Sequence, residues 1–115
     1  MTRQEVFDYC KNNYGTEPDY PWDDWNAVLR HKSNRKWYGV VIEVGEDKLG
    51  LNGTRKVDVL NLKFEPMTVD FFRNQDGFFP AYHMNKVNWI SILLGGPASD
   101  DEVKNLIDMS YEMTK

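Results

Sequence analysis

The chain has 115 residues, of which 41% are hydrophobic and 14% aromatic, and its formal net charge is −4 at pH 7. This length and apolar content indicate one folded domain over residues 1–115 and argue against intrinsic disorder. A single cysteine excludes an internal disulfide framework and fits a reducing compartment, and no apolar run approaches the ~20 residues of a membrane span. We therefore expect a cytoplasmic protein without membrane association, and we expect it to be a monomer.

Residues 2–14 are expected to form the first helix. Thr2 and Glu5 have the spacing of a capping box, in which a hydroxyl and a carboxylate satisfy the first backbone amides. The apolar face of this helix consists of Val6, Phe7, Cys10 and Tyr14. Cys10 is therefore expected to be a buried, inert thiol, and Gly15 supplies the helix stop.

The loop over residues 16–26 combines two prolines with several aromatic side chains. Trp22 and Trp25 are expected to plug one end of the core, with ligand stacking as the alternative. The loop also contains three acids, Asp19, Asp23 and Asp24. Because they lack the ligand spacing and the glycine of a calcium loop, we interpret them as solvated acids and predict no metal site.

Period-two alternation predicts four strands, at Ala27–Lys32, Trp37–Val44, Lys56–Phe64 and Val87–Leu94. In the second of these, alternation places Tyr38, Val40, Ile42 and Val44 on one face. In the third it turns Leu60, Leu62 and Phe64 inward. Asn52-Gly53 marks the hairpin between these two strands.

The last predicted strand has two different faces. Ile90, Ile92 and Leu94 form a core face. The opposite side carries Trp89, Ser91 and Leu93. A large ring beside a hydroxyl is typical of a half-exposed sheet surface, so we expect this side to be open to solvent.

Two further helices complete the pattern. A short one is predicted at Thr68–Asn74, and a long one begins with the capping box of Ser99 and Glu102. The strands cluster instead of alternating with helices. The fold class is therefore α+β, a two-layer sandwich with the N- and C-terminal helices packed on one face of a mainly antiparallel sheet.

With these elements placed, the chain resembles the MmcQ/YjbR family along nearly its whole length. Six segments in a consistent order carry the resemblance: Tyr20-Pro21-Trp22, the Lys36-centred strand start, Asn61-Leu62-Lys63-Phe64-Glu65-Pro66, Pro80-Ala81-Tyr82-His83-Met84-Asn85-Lys86, Trp89-Ile90-Ser91 and Ser110-Tyr111.

The resemblance implies a CyaY/frataxin-like fold and DNA binding through wing-like elements. The chain departs from the family where Arg35-Lys36-Trp37-Tyr38 is bulkier than the usual lysine followed by an aliphatic-aromatic step. Frataxins handle iron with an acid-rich first helix, whereas this one offers only Glu5 and Asp8, so iron handling does not carry over.

Few side chains in the sequence are of the types that usually carry out catalysis. They comprise two histidines and one cysteine, without a nucleophile elbow, a phosphate loop or metal-ligand spacing. His83 lies near Tyr82 and Lys86 and is a candidate acid or base, but a hydrogen-bonded structural histidine is the preferred interpretation. We therefore predict a protein that is not an enzyme and needs no cofactor.

The nucleic-acid hypothesis depends on the central third of the chain, because residues 30–63 carry 8 basic and 4 acidic side chains. Cations and indoles on the open sheet face and its hairpins offer phosphate contacts and stacking surfaces. The candidate residues are Arg30, Lys32, Arg35, Lys36, Trp37, Lys63, Lys86 and Trp89. Two alternatives stay open, namely a solvated hairpin rim without function and a binding site for a protein or small ligand on the same face.

Overall fold

A computed structural model describes all residues, 1–115, and contains three α-helices and five β-strands. In chain order they are α1 (Arg3–Tyr14), β1 (Ala27–Arg30), β2 (Trp37–Gly45), β3 (Lys56–Lys63), α2 (Pro66–Phe72), β4 (Phe78–Pro80), β5 (Trp89–Leu93) and α3 (Asp100–Met113). A single 3-10 turn, Glu46–Leu49, follows β2.

The five strands form one sheet in the order β1-β2-β3-β5-β4, and every neighbouring pair is antiparallel. The β2–β3 hairpin connection contains Gly53, whose φ of 121° is one that side chains with a Cβ rarely adopt. β4 is a short edge strand that the sequence pattern did not separate from the following loop. Its Pro80 lies at the sheet edge, where a missing backbone N–H is tolerated.

Both long helices pack on the same face of the sheet, as predicted. Thr2 and Glu5 form the reciprocal capping box of α1, and Ser99 caps α3 by accepting from the amide of Glu102. The core between helices and sheet includes Val6, Phe7, Cys10, Leu60, Leu62, Phe64, Ile90, Ile92, Val103, Leu106 and Ile107. The α+β architecture is therefore confirmed.

The alternation along β2 is interrupted by a β-bulge, which corrects one prediction. Leu29 pairs with Gly39 but Arg30 pairs with Trp37, so Tyr38 is an extra residue in β2. Tyr38 therefore joins the helix-side core, whereas Trp37 packs beside Val40 on the opposite face. A regular strand would have placed these two aromatic side chains the other way round.

The second face of the sheet is covered, which corrects the expectation of an open surface. Its apolar residues are Val28, Val40, Ile42, Val44, Val59 and Trp89. Ala81, Tyr82 and Met84 pack against them, so the segment 81–88 crosses this face. The physical reason is that a row of β-branched side chains exposed to water is unfavourable, and the chain supplies its own cover.

Several element boundaries differ from the prediction by one or two residues, among them the starts of β5 and α2. β5 begins at Trp89 because the side chain of Asn85 accepts from the amide of Val87 and its carbonyl from the amide of Trp89, which holds a turn there. α2 begins at Pro66, a residue that is favourable in the first turn of a helix because its missing N–H has no partner there.

Candidate functional site

Four of the residues that were predicted from the sequence to bind nucleic acid line one recess of about 450 Å³, namely Lys36, Trp37, Lys63 and Trp89. We call this recess the lysine groove, and it is lined by Lys36, Trp37, Lys63, Met84, Trp89, Met113 and Thr114. Lys36 directly precedes β2, Lys63 ends β3 and Trp89 begins β5. Because Lys63 pairs with Trp89 across the sheet, adjacent strand ends deliver these side chains to one place.

The hydroxyl of Ser110, on α3, holds the strand ends that form this groove. It donates to the carbonyl of Tyr38 at 2.6 Å and accepts from the amide of Lys63 at 3.0 Å. The β2–β3 pairing ends at Gly39 and Leu62, so these two backbone groups lie just past the regular ladder. A fully buried serine on α3 therefore satisfies them and fixes Lys63 beside the start of β2.

The two ammonium groups of the lysine groove lack acidic partners. No carboxylate lies within 4.0 Å of Lys36 or Lys63, whereas Arg30 is paired with Asp19 at 2.9 Å. The Arg30 guanidinium also lies 5.4 Å from the centroid of the Trp37 ring, a cation–π geometry. Positive charge therefore collects around Trp37 without full internal compensation, which favours an anionic ligand.

Trp89 does not provide the stacking surface that the sequence predicted. Its side chain is only 7% exposed and belongs to the apolar cluster beneath the crossing segment. Trp37 is half-buried and keeps part of its ring at the surface. The indole available in the lysine groove is therefore that of Trp37.

The remaining nominated cations lie elsewhere. Lys32 and Arg35 line a separate polar recess of about 160 Å³ together with Arg30 and His31. Lys86 lines a third recess near Lys48, on the other side of the crossing segment. The structure thus brings Lys36 and Lys63 together and places Lys32 and Arg35 next to Arg30. Lys86 is separate from both of these groups of cations.

Another recess, of about 460 Å³, adjoins the lysine groove. We call it the indole cavity, and it is lined by Trp22, Asn26, Trp37, Ile42, His83 and Met84. The indoles of Trp22 and Trp37 meet edge to face, with 5.7 Å between centroids and 80° between planes. Sequence patterns did not identify this cavity, because its walls come from a loop, a bulged strand and the crossing segment.

Trp22 and Trp25 do not plug the core, which corrects the prediction. Their side chains are 56% and 48% exposed. The carboxylate of Asp23 accepts from the amides of Trp25 and Asn26, at 2.8 and 2.7 Å, and these bonds lower its pKa. This turn holds the loop outside the core, so Trp22 forms a wall of the indole cavity and Trp25 lies 3.8 Å from the guanidinium of Arg3.

The two histidines have opposite environments. His31 is 3% exposed, and its Nε2 lies 2.7 Å from the hydroxyl of Thr114. Burial lowers the pKa of His31 below its ordinary value. His83 was expected to be the hydrogen-bonded structural histidine, but it is exposed, has a positive φ of 61° and has no side-chain hydrogen bond. It packs on the ring of Tyr82 and faces the indole cavity.

A buried polar clamp holds the crossing segment on the sheet. Nδ2 of Asn61 donates to the carbonyl of Tyr82 at 3.0 Å, and Oδ1 of Asn61 accepts from the hydroxyl of Ser91. The same hydroxyl accepts from the amide of Tyr82 at 2.9 Å. Asn61 and Ser91 are directly paired in the sheet, so both backbone groups of Tyr82 are fixed by one strand pair.

The other motif residues lie outside both recesses. Tyr111 stacks on Tyr14 with 3.8 Å between ring centroids, at the packing between α3 and α1. Tyr20 and Pro21 lie exposed in the loop before Trp22.

Of the chain's His, Cys, Asp and Glu side chains, no three come together in a way that could hold a metal ion. None of the helices has the length and apolar character needed to span a bilayer.

Comparison with known proteins places the chain in a family. The YjbR family profile matches residues 12–113. The uncharacterized protein YyaQ of Bacillus subtilis (strain 168) is 46% identical over 117 residues, covering 100% of this chain and 99% of that protein. The uncharacterized protein YjbR of Escherichia coli (strain K12) is 28% identical over 113 residues, covering 97% and 86%.

Solved structures agree with the observed fold. A crystal structure of a Pseudomonas syringae protein has a TM-score of 0.96 at 43% identity and covers 100% of both chains. The DUF419 domain of Deinococcus radiodurans protein DR2400 has a TM-score of 0.72 at 21% identity, covering 97% and 77%, and supports the fold alone. The profile match and the sequence relatives show that this chain belongs to the YjbR family.

Proposed function

We propose that this protein binds DNA through the lysine groove, with weak sequence specificity and without catalysing a reaction. The observation that carries the proposal is the convergence of Lys36 and Lys63, both without an acidic partner, on the indole of Trp37. Lysine ammonium groups neutralise backbone phosphates, and an adjacent indole supplies a stacking surface that tolerates any base. Arg30 adds a cation 5.4 Å from the Trp37 ring centroid, whereas Lys32 and Arg35 line a separate recess that also contains Glu17 and Asp19.

The number of available cations sets the expected strength of binding. The whole molecule has a formal charge of −4, so long-range attraction to DNA is weak and local contacts must supply the affinity. Each phosphate contact contributes about −0.9 to the slope of log K against log salt concentration on duplex DNA. With two to four contacts, we expect a slope of about −2 to −4 and modest affinity at physiological salt.

The environments of the nucleophilic and titratable groups support a binding protein over an enzyme. Burial raises the pKa of the Cys10 thiol to about 12, so the reactive thiolate is strongly disfavoured. His31 is buried and engaged with Thr114. His83 packs on the ring of Tyr82, and no hydrogen bond joins its side chain to a hydroxyl or thiol that it could activate. The single buried thiol also supports a reducing, cytoplasmic setting.

Fluorescence anisotropy with labelled DNA tests the proposal. Wild type and the Lys36→Gln/Lys63→Gln variant are titrated onto a duplex and a single strand of the same sequence, at salt concentrations from 20 to 200 mM. We expect the variant to lose most of its affinity for both forms and to reduce the salt slope by about 2.

The matched control is Lys56→Gln/Lys104→Gln, which removes the same charge from two lysines outside the lysine groove. Equal weakening by both double variants would mean that the protein responds only to net charge. Absence of DNA binding by wild type at 20 mM salt would refute the proposed function.

The indole cavity supports a second candidate function, binding of a protein side chain or small molecule without nucleic acid. Its lining is mainly apolar, and Trp22 is exposed at its rim in the manner of an interface anchor. Salt distinguishes the two functions. Anchoring on indoles is nearly independent of salt, whereas phosphate binding weakens steeply as salt concentration increases.

A further inference from the structure

We infer that the indole cavity accepts one unpaired base of single-stranded DNA while the flanking phosphates lie in the lysine groove. This inference rests on the proposed function and names the form of DNA that the site selects. It depends on three features of the structure, which are the adjacency of the two recesses, their division of charge and the free groups on their walls.

The adjacency follows from two shared side chains. Trp37 and Met84 line both the indole cavity and the lysine groove, so the recesses meet along these residues. Each recess is within the range of about 300–1,000 Å³ that is usual for small-ligand sites. A nucleotide that places its base on one side of Trp37 therefore has room for its phosphate on the other side.

The charges of the two recesses differ in the way that a nucleotide requires. The lining of the indole cavity contains no lysine, arginine or carboxylate. The lining of the lysine groove contains Lys36 and Lys63 and no acid. A neutral, flat base is accommodated in the first without desolvating a charged side chain, and an anionic phosphate is favoured in the second.

The walls of the indole cavity offer surfaces for a ring. The indole of Trp22 is 56% exposed and can stack on a base, while Ile42 and Met84 supply apolar contacts. Asn26 is already bonded to Asp23 and to the amide of Glu43, so it is not free to read a base. His83 is exposed without a hydrogen-bond partner and can bond to the edge of the base.

Selectivity for single strands follows from this geometry. A base inside the cavity has its edge covered by protein and cannot remain paired with a complementary strand. Extruding a base from a duplex costs a few kcal/mol of stacking and pairing free energy, whereas a single strand avoids most of this cost. We therefore expect the protein to bind a single strand more tightly than a duplex of the same sequence.

A pair of tryptophan variants tests the inference by fluorescence anisotropy with a labelled 15-residue oligothymidylate and a matched hairpin duplex. Trp22→Ala removes the exposed wall of the indole cavity. Trp25→Ala is the control, because its side chain is 48% exposed in the same loop but packs against Arg3 and lies outside the cavity. Thermal melts confirm that both variants are folded.

We expect Trp22→Ala to weaken single-strand binding about 5- to 100-fold, from the stacking contribution of one base, and to weaken duplex binding little. Trp25→Ala should bind both as wild type does. If Trp22→Ala binds the single strand as wild type does while Lys36→Gln/Lys63→Gln does not, the base-insertion inference is refuted and the proposed function stands. If the lysine variant also binds normally, the proposed function fails as well.

Discussion

Replacing Asn61 with alanine is expected to release the segment that covers the second face of the sheet. Asn61 is fully buried, and its amide bonds both the carbonyl of Tyr82 and the hydroxyl of Ser91. No buried side-chain polar atom in the structure lacks a partner, so alanine at this position would create a deficiency that the fold otherwise avoids.

The magnitude follows from the groups that the substitution leaves unpaired. One buried polar group without a partner costs about 1–3 kcal/mol. Here the Tyr82 carbonyl loses its side-chain donor, and the Ser91 hydroxyl loses its acceptor but still accepts from the Tyr82 amide. Partial entry of water reduces the sum, so we expect a loss of about 2–4 kcal/mol in the free energy of unfolding. For a chain of this size the melting temperature should decrease by about 8–15 °C.

Urea and thermal denaturation measure this loss, with Asn105→Ala as the matched control. Asn105 is exposed on α3 and makes no side-chain hydrogen bond, so its substitution should change stability by less than about 0.5 kcal/mol. Denaturation midpoints that coincide for the two variants would show that apolar contacts alone hold the crossing segment. The clamp would then have no energetic role.

Two further predictions concern buried titratable groups. Because burial lowers the pKa of folded His31, the unfolded chain takes up a proton near its ordinary pKa of about 6.5 while the folded protein does not. The contribution of His31 to the free energy of unfolding is therefore fully present above about pH 6.5 and is lost as the pH falls below it. His31→Gln should flatten this part of the dependence in urea titrations between pH 7.5 and 5, and an unchanged slope contradicts the assignment. Cys10, fully buried with its pKa raised to about 12, should react with a thiol reagent at pH 8 only in denaturant, and rapid labelling of the native protein would disprove its burial.

Periodicity predicted the helix-facing half of the sheet because side chains there follow the simple alternation of strands. Leu60, Leu62, Ile90 and Ile92 all lie in the core as expected. The pattern failed at Tyr38, where a bulge reverses the parity of β2. A bulge leaves no mark in composition or hydrophobicity. An apolar strand that contains a bulge therefore has the same sequence pattern as one that does not.

The aromatic residues show a second limit of sequence patterns. The sequence predicted a buried Trp22 and placed Trp89 on a half-exposed face, whereas in the structure Trp22 is 56% exposed and Trp89 is 7% exposed. Which indole is covered depends on where segment 81–88 crosses the sheet, and that is a long-range contact. One signal was present, because the alternation puts Asn61 and Ser91 on the faces opposite the core face of two consecutive predicted strands. Two polar side chains in that arrangement need a partner, and here the partner is the covering segment.

The bulge connects the fold of this protein to its candidate site. In a regular β2, Trp37 would lie with Val41 under the helices, and no indole would separate the lysine groove from the indole cavity. The extra residue turns Trp37 to the opposite face and sends Tyr38 into the core. The β2–β3 ladder ends at Gly39 and Leu62, so the Tyr38 carbonyl and the Lys63 amide lie just past it. Ser110 satisfies both of those groups, so a serine on the last helix, remote in sequence from every residue of either recess except Met113 and Thr114, maintains the arrangement. Through these two bonds the hydroxyl fixes the backbone of Tyr38, the residue that follows Trp37, beside the end of β3.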